Sequence, residues 1–151
     1  MIMSKLIFLL IAVLGNTGIV AQSTFINLEK FRLKGYIFEE KYKPADFKIE
    51  NITGRFTPVL LDIEKAEQLV SIFFLHGCKL HKQQRRQYLG YKKGEIKYLL
   101  VHIMLHESEK QFSRDFTDWG SEMSFWLSEP GGKQKSFLYL INLTDNTIGY
   151  Y

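Results

Sequence analysis

The chain carries one cysteine, Cys78, and three prolines, Pro44, Pro58 and Pro130, in 151 residues. A single cysteine excludes an intramolecular disulfide framework, and a lone thiol more often packs as a small hydrophobe than pairs between chains. There are no internal repeats, no low-complexity tract and no linker rich in Pro, Gly or Ser. No serine sits in a G-x-S-x-G elbow, and no glycine motif of the phosphate-cradling kind is present. The carboxylates Glu107, Glu109, Asp115 and Asp118 share one stretch, but it does not alternate oxygen ligands around a glycine turn as a calcium loop does. Beyond residue 21 no apolar run is long enough to cross a membrane, which takes about 20 residues. Residues 99–105 are strongly apolar, but they are strand-sized and interrupted by His102.

Residues 1–21 have the pattern of a secretory signal peptide. Lys5 supplies a positive start, residues 6–14 are an unbroken apolar run, and Gly15, Gly18 and Ala21 form a small-residue exit. Cleavage is expected after Ala21, which leaves about 130 residues, the size of one ordinary domain. Export to the periplasm, the envelope or the medium follows. Aromatic residues make up 15% of the full chain, and almost all of them lie beyond residue 21, where they can fill a core. The formal charge of +4 is unevenly spread. Lys79, Lys82, Arg85, Arg86, Lys92, Lys93 and Lys97 crowd the middle, opposed only by Glu95, and Glu107, Glu109, Asp115, Asp118, Glu122 and Glu129 follow.

Hydrophobic patterning predicts strands over residues 31–40, 47–52, 84–92, 96–106, 122–128, 136–143 and 148–151. In the strand over 96–106, Ile96, Tyr98, Leu100, His102 and Met104 share one face. Leu99, Val101, Ile103 and Leu105 share the other, so the strand is expected to be central and covered on both sides. Pro130-Gly131-Gly132 predicts a hairpin, and residues 107–120 are expected to form a polar loop. The clearest helix opens with Thr57 as N-cap and Pro58 in the first helical position. Ile63, Ala66, Val70, Phe73 and Phe74 give it one apolar stripe, and Gly77 stops it. The fold class expected is α+β: one amphipathic helix packed on a curved antiparallel sheet of about five to six strands.

Two segments carry a family likeness. Arg55-Phe56-Thr57-Pro58, with Asp62-Ile63 and Ala66-Glu67, opens the helix, and Arg86-Gln87-Tyr88-Leu89-Gly90-Tyr91 forms a strand. With Gly131-Gly132 and Ile141-Asn142-Leu143-Thr144, these segments resemble small exported proteins of Bacteroidota. The likeness covers residues 55–151. It implies export and an α+β fold and supplies no active site. The basic run before Gln87 is heavier here than in that group.

The chemistry-bearing residues divide into two readings. Arg85, Arg86, Tyr88, Tyr91 and Lys93 combine cations with aromatic rings, a surface suited to an envelope protein, an anionic glycan or a lipid headgroup, with nucleic acid disfavoured by export. On this reading the protein is a non-enzymatic binding or inhibitory module. The same residues also fit a solvated edge strand whose charges block edge-to-edge pairing. The alternative is a small enzyme with a pocket between helix and sheet. His102 would be its general base, and Asp115 or Asp118 the convergent acid. His102 and His106 lie about 13 Å apart on one strand face, too far to share a metal ion. His76, Cys78 and His81 have the atoms for a zinc site or a thiol nucleophile, but no fourth ligand or oxyanion hole accompanies them. No metal and no cofactor is expected.

Overall fold

A computed structural model describes residues 22–44, 49–75, 83–123 and 136–151, except for the side chains of 74 and 75. The expected signal segment, the Pro130-Gly131-Gly132 hairpin, most of the expected strand over 122–128, and the His76, Cys78 and His81 group lie outside the described residues.

The elements run β1 (Ser23–Leu28), β2 (Leu33–Phe38), β3 (Gly54–Phe56), α1 (Leu60–Leu75), β4 (Gln83–Lys93), β5 (Ile96–His106), α2 (Glu109–Asp115), β6 (Ser136–Asn142) and β7 (Thr147–Tyr150). One seven-stranded sheet has the order β1-β2-β4-β5-β6-β7, with β3 also on β4. The class is α+β. Two features of the expected architecture are corrected. A second helix, α2, occupies the stretch expected to be a loop. The sheet is mixed, because β2 and β4 pair in parallel. Parallel neighbours need a long crossover, and the chain between them holds β3 and α1. The expected strand over residues 47–52 is also corrected. Residues 49–52 form no strand, and Asn51 takes a left-handed φ of 60°, which favours a turn.

β4 is served on one side by two strands in succession. β2 pairs residues Arg85 to Leu89 and β3 pairs Gly90 to Lys92. At the handover a Cβ on Gly90 would lie 2.5 Å from the Phe56 carbonyl oxygen. Only glycine allows that approach. β4 and β5 join through a tight turn in which Gly94 takes a φ of 61°, as two-residue hairpin loops require. β5 lies between β4 and β6, so its expected central position is observed.

Each sheet face has its own core. On one, Ile63, Ala66 and Val70 of α1 cluster with Tyr88, Leu99, Val101, Ile103, Tyr139 and Ile141. On the other, Phe38, Tyr42, Leu89, Tyr91, Leu100, Met123 and Leu138 form a second cluster. Beside it Phe112 and Phe116 cover Met104, with Trp119 packed against them. Helix α1 begins later than expected. The Thr57 hydroxyl accepts from Glu40 N at 3.1 Å, and Asp62 Oδ2 accepts from Val59 N at 3.1 Å in its stead.

Candidate functional site

A strand sends alternate side chains to opposite faces, and this alternation splits the basic and aromatic set of β4. Arg86 and Tyr88 point under α1. Arg85, Gln87, Tyr91 and Lys93 point to the other face. Arg85 and Lys93 are eight residues apart, about 26 Å along the strand. Arg86, Tyr88 and Tyr91 are buried, so the five residues do not make one contact surface. The edge-strand reading is corrected too, since β4 is paired on both sides.

Under α1, Glu67 is 2% exposed and Arg86 3%. Glu67 Oε1 accepts from Arg86 Nε at 3.0 Å and from the Tyr88 hydroxyl at 2.9 Å. Burial, with the Glu67 carboxylate beside it, pushes the Tyr88 phenol well above its usual range, so Tyr88 stays a hydrogen-bond donor. Gly35 lies against this pair. A Cβ there would meet the Arg86 carbonyl oxygen at 2.9 Å and the Tyr88 ring at 3.0 Å. The group joins helix α1 to strand β4.

On the opposite face Gln87 is a clamp. Its Nε2 donates to the carbonyls of Trp119 at 2.7 Å and Glu122 at 2.8 Å. That fixes the amide orientation, so Oε1 faces His102 Nδ1, 2.7 Å away. An amide oxygen can only accept, so Nδ1 carries the imidazole proton. His102 is fully buried, and that burial, with the Arg86 charge secondary, pushes its pKa down to about 3. An imidazole held neutral so far below working pH is a weak general base. His106 is also buried and lowered, first by burial and then by Arg85. Its ring packs on Phe112 at 4.8 Å. Asp115 pairs with Arg114 Nε at 2.9 Å.

Arg85 pairs with Glu109 of α2 and lies over the Phe112 ring at 5.5 Å. Tyr91 stacks on Tyr98 at 5.3 Å. Within the basic run, the more accessible cations lie at the β4–β5 hairpin, Lys92 and Lys97 on the α1 face and Lys93 on the other. Lys92 and Lys97 are direct cross-strand partners. Lys97 reaches over Phe56 at 5.2 Å and Lys93 over Tyr98 at 5.9 Å. Like charges directly opposite on a sheet are destabilising. The sequence showed this cluster only as part of a longer basic run, because run length hides register. The aromatic residues Phe112, Phe116 and Trp119 act as cover for the sheet.

Among the described residues no group of three or more His, Cys, Asp or Glu side chains could hold a metal ion. Among them no helix is long and apolar enough to cross a membrane. Comparison with protein-family models, curated proteins and solved structures finds no match.

Proposed function

We propose that this protein is an exported binding module of the cell envelope, acting on an anionic partner through the tip of its β4–β5 hairpin. The carrying observation is the opposition of Lys92 and Lys97 in register on the α1 side of the hairpin. The arrangement costs the folded protein stability, and an anionic glycan, lipid headgroup or acidic protein surface would relieve that cost. The ammonium groups of Lys97 and Lys93 each lie over an aromatic ring, Phe56 and Tyr98, a cation–aromatic setting that holds the charge in place. The signal pattern and the likeness to exported Bacteroidota proteins support a periplasmic, envelope-associated or secreted site of action. The enzyme alternative, with His102 as general base, has less support, because that imidazole is buried and spent on Gln87.

The test is capture of anionic vesicles and acidic polysaccharide by the purified protein at low and high salt. Lys92→Glu/Lys97→Glu is expected to abolish capture. Arg85→Glu, at the far end of β4, is expected to keep it. Equal capture by the hairpin variant and the parent would overturn the assignment of the surface, and no capture by the parent would overturn the reading.

A further inference from the structure

Large apolar side chains remain in water along the outside of α1. Leu61 is 74% exposed and Ile72 60%. At about 100° per residue, these two and the exposed Gln68 fall on one line down the helix. The buried residues Ile63, Ala66 and Val70 fall on the opposite side, against the sheet. Glu64 and Lys65 flank the line to left and right. Glu64 lines a groove with residues Asn27 to Phe31, while Lys65 donates to the Leu143 carbonyl on the other side.

We infer that this face of α1 packs on the same face of a second copy, with the two helices parallel. A two-fold axis along the helices places Leu61 against Leu61, Gln68 against Gln68 and Ile72 against Ile72. It also exchanges left for right, so Glu64 of each copy lies beside Lys65 of the other. Antiparallel packing would instead bring Glu64 toward Glu64 and Lys65 toward Lys65. Charge complementarity therefore selects both the occupant and the orientation. An isologous contact of this kind needs a self-complementary patch, and this stripe is charge-balanced on a chain whose formal charge is +4. Gln68, an amide with both donor and acceptor, can pair with itself across the axis, the role polar residues take in fixing helix register. Lys65 keeps donors for Glu64 of the second copy, because the Leu143 carbonyl takes only one of three.

Sedimentation equilibrium of the purified protein is expected to show a monomer–dimer equilibrium. Leu61→Asp should weaken it at least about tenfold. Glu64→Lys should weaken it, and Glu64→Lys/Lys65→Glu should restore it. In a Cys78→Ser background, Leu61→Cys should form a disulfide between two identical chains under mild oxidation. A monomer at every concentration would overturn the inference. So would a dimer that Leu61→Cys does not cross-link or that the charge exchange does not rescue. The substituted positions are outside the core, and circular dichroism of each variant is expected to match the parent.

Discussion

Glu67 lies on the side of α1 that the apolar stripe marks as core, where a carboxylate is seldom found without a partner. The pattern of Ile63, Ala66 and Val70 was legible, but the burial of Glu67 was not. Its partners, Arg86 and Tyr88, arrive from a strand 19 and 21 residues later. Removing one member of a buried ion pair leaves the other charge dehydrated. Glu67→Leu is therefore expected to destabilise the protein by about 3–5 kcal/mol, measured by urea unfolding. Adding Arg86→Met should recover much of that loss, because the orphaned guanidinium is gone. A double variant as unstable as Glu67→Leu alone would show that the carboxylate does more than hold Arg86. The same side-chain chemistry explains why the basic run misled as a contact surface. Composition places Arg85, Arg86, Tyr88 and Tyr91 together, while the pleat sends them to opposite faces and the core takes three of them.

At the scale of elements, β4, β5 and β6 emerged within one residue of their observed bounds, because β5 and β6 carry long apolar runs and the turn at Gly94 marks where β4 ends. α2 did not emerge. Seven residues give too little periodicity, and its acidic and polar residues resemble a loop. The usable signal was local. Ser108 caps α2 by accepting from Gln111 N at 3.2 Å, and the Gln111 side chain reaches back to Glu107 N at 2.8 Å. That is a capping arrangement readable as Ser-x-x-Gln. β1 was also missed, since it follows directly on the signal pattern and pairs with β2 from the sheet's edge. Several contacts hold the α2 segment to the sheet: the Gln87 amide, the Arg85–Glu109 pair, the Tyr42 hydroxyl accepting from Met123 N, and the burial of Phe112 and Phe116. Gln87→Leu would leave the Trp119 and Glu122 carbonyls and the His102 Nδ1–H without partners. Its expected cost is on the order of 2–4 kcal/mol. Hydrogen exchange should locate the change. Amides of residues 108–123 are expected to exchange faster while those of β5 hold, and an unchanged α2 segment would show that the remaining contacts anchor it without Gln87.

For the whole molecule, the decisive property is a sheet covered on both faces, with α1 over one and the α2 segment over the other. That architecture removes His102 from water at the centre of the sheet, and it makes the fold sensitive to acid. The unfolded chain takes up a proton on an ordinary histidine near pH 6.5. The folded chain excludes that proton at His102 until about pH 3. Between those values the unfolded state binds more protons, so stability rises with pH across the window. The contribution is complete above pH 6.5 and is lost as the pH falls toward 3. Each unit of pH in that interval is worth up to about 1.4 kcal/mol for one such group. His106, lowered in the same direction, adds to the slope. Urea unfolding between pH 7 and pH 5, above the range where most carboxylates titrate, is expected to show a loss of about 2 kcal/mol from His102. His102→Asn should be less stable at pH 7 but should show a flatter dependence on pH. A parent protein equally stable at pH 7 and pH 5 would mean that His102 takes up its proton in the folded state, and hence that the cover over this face opens.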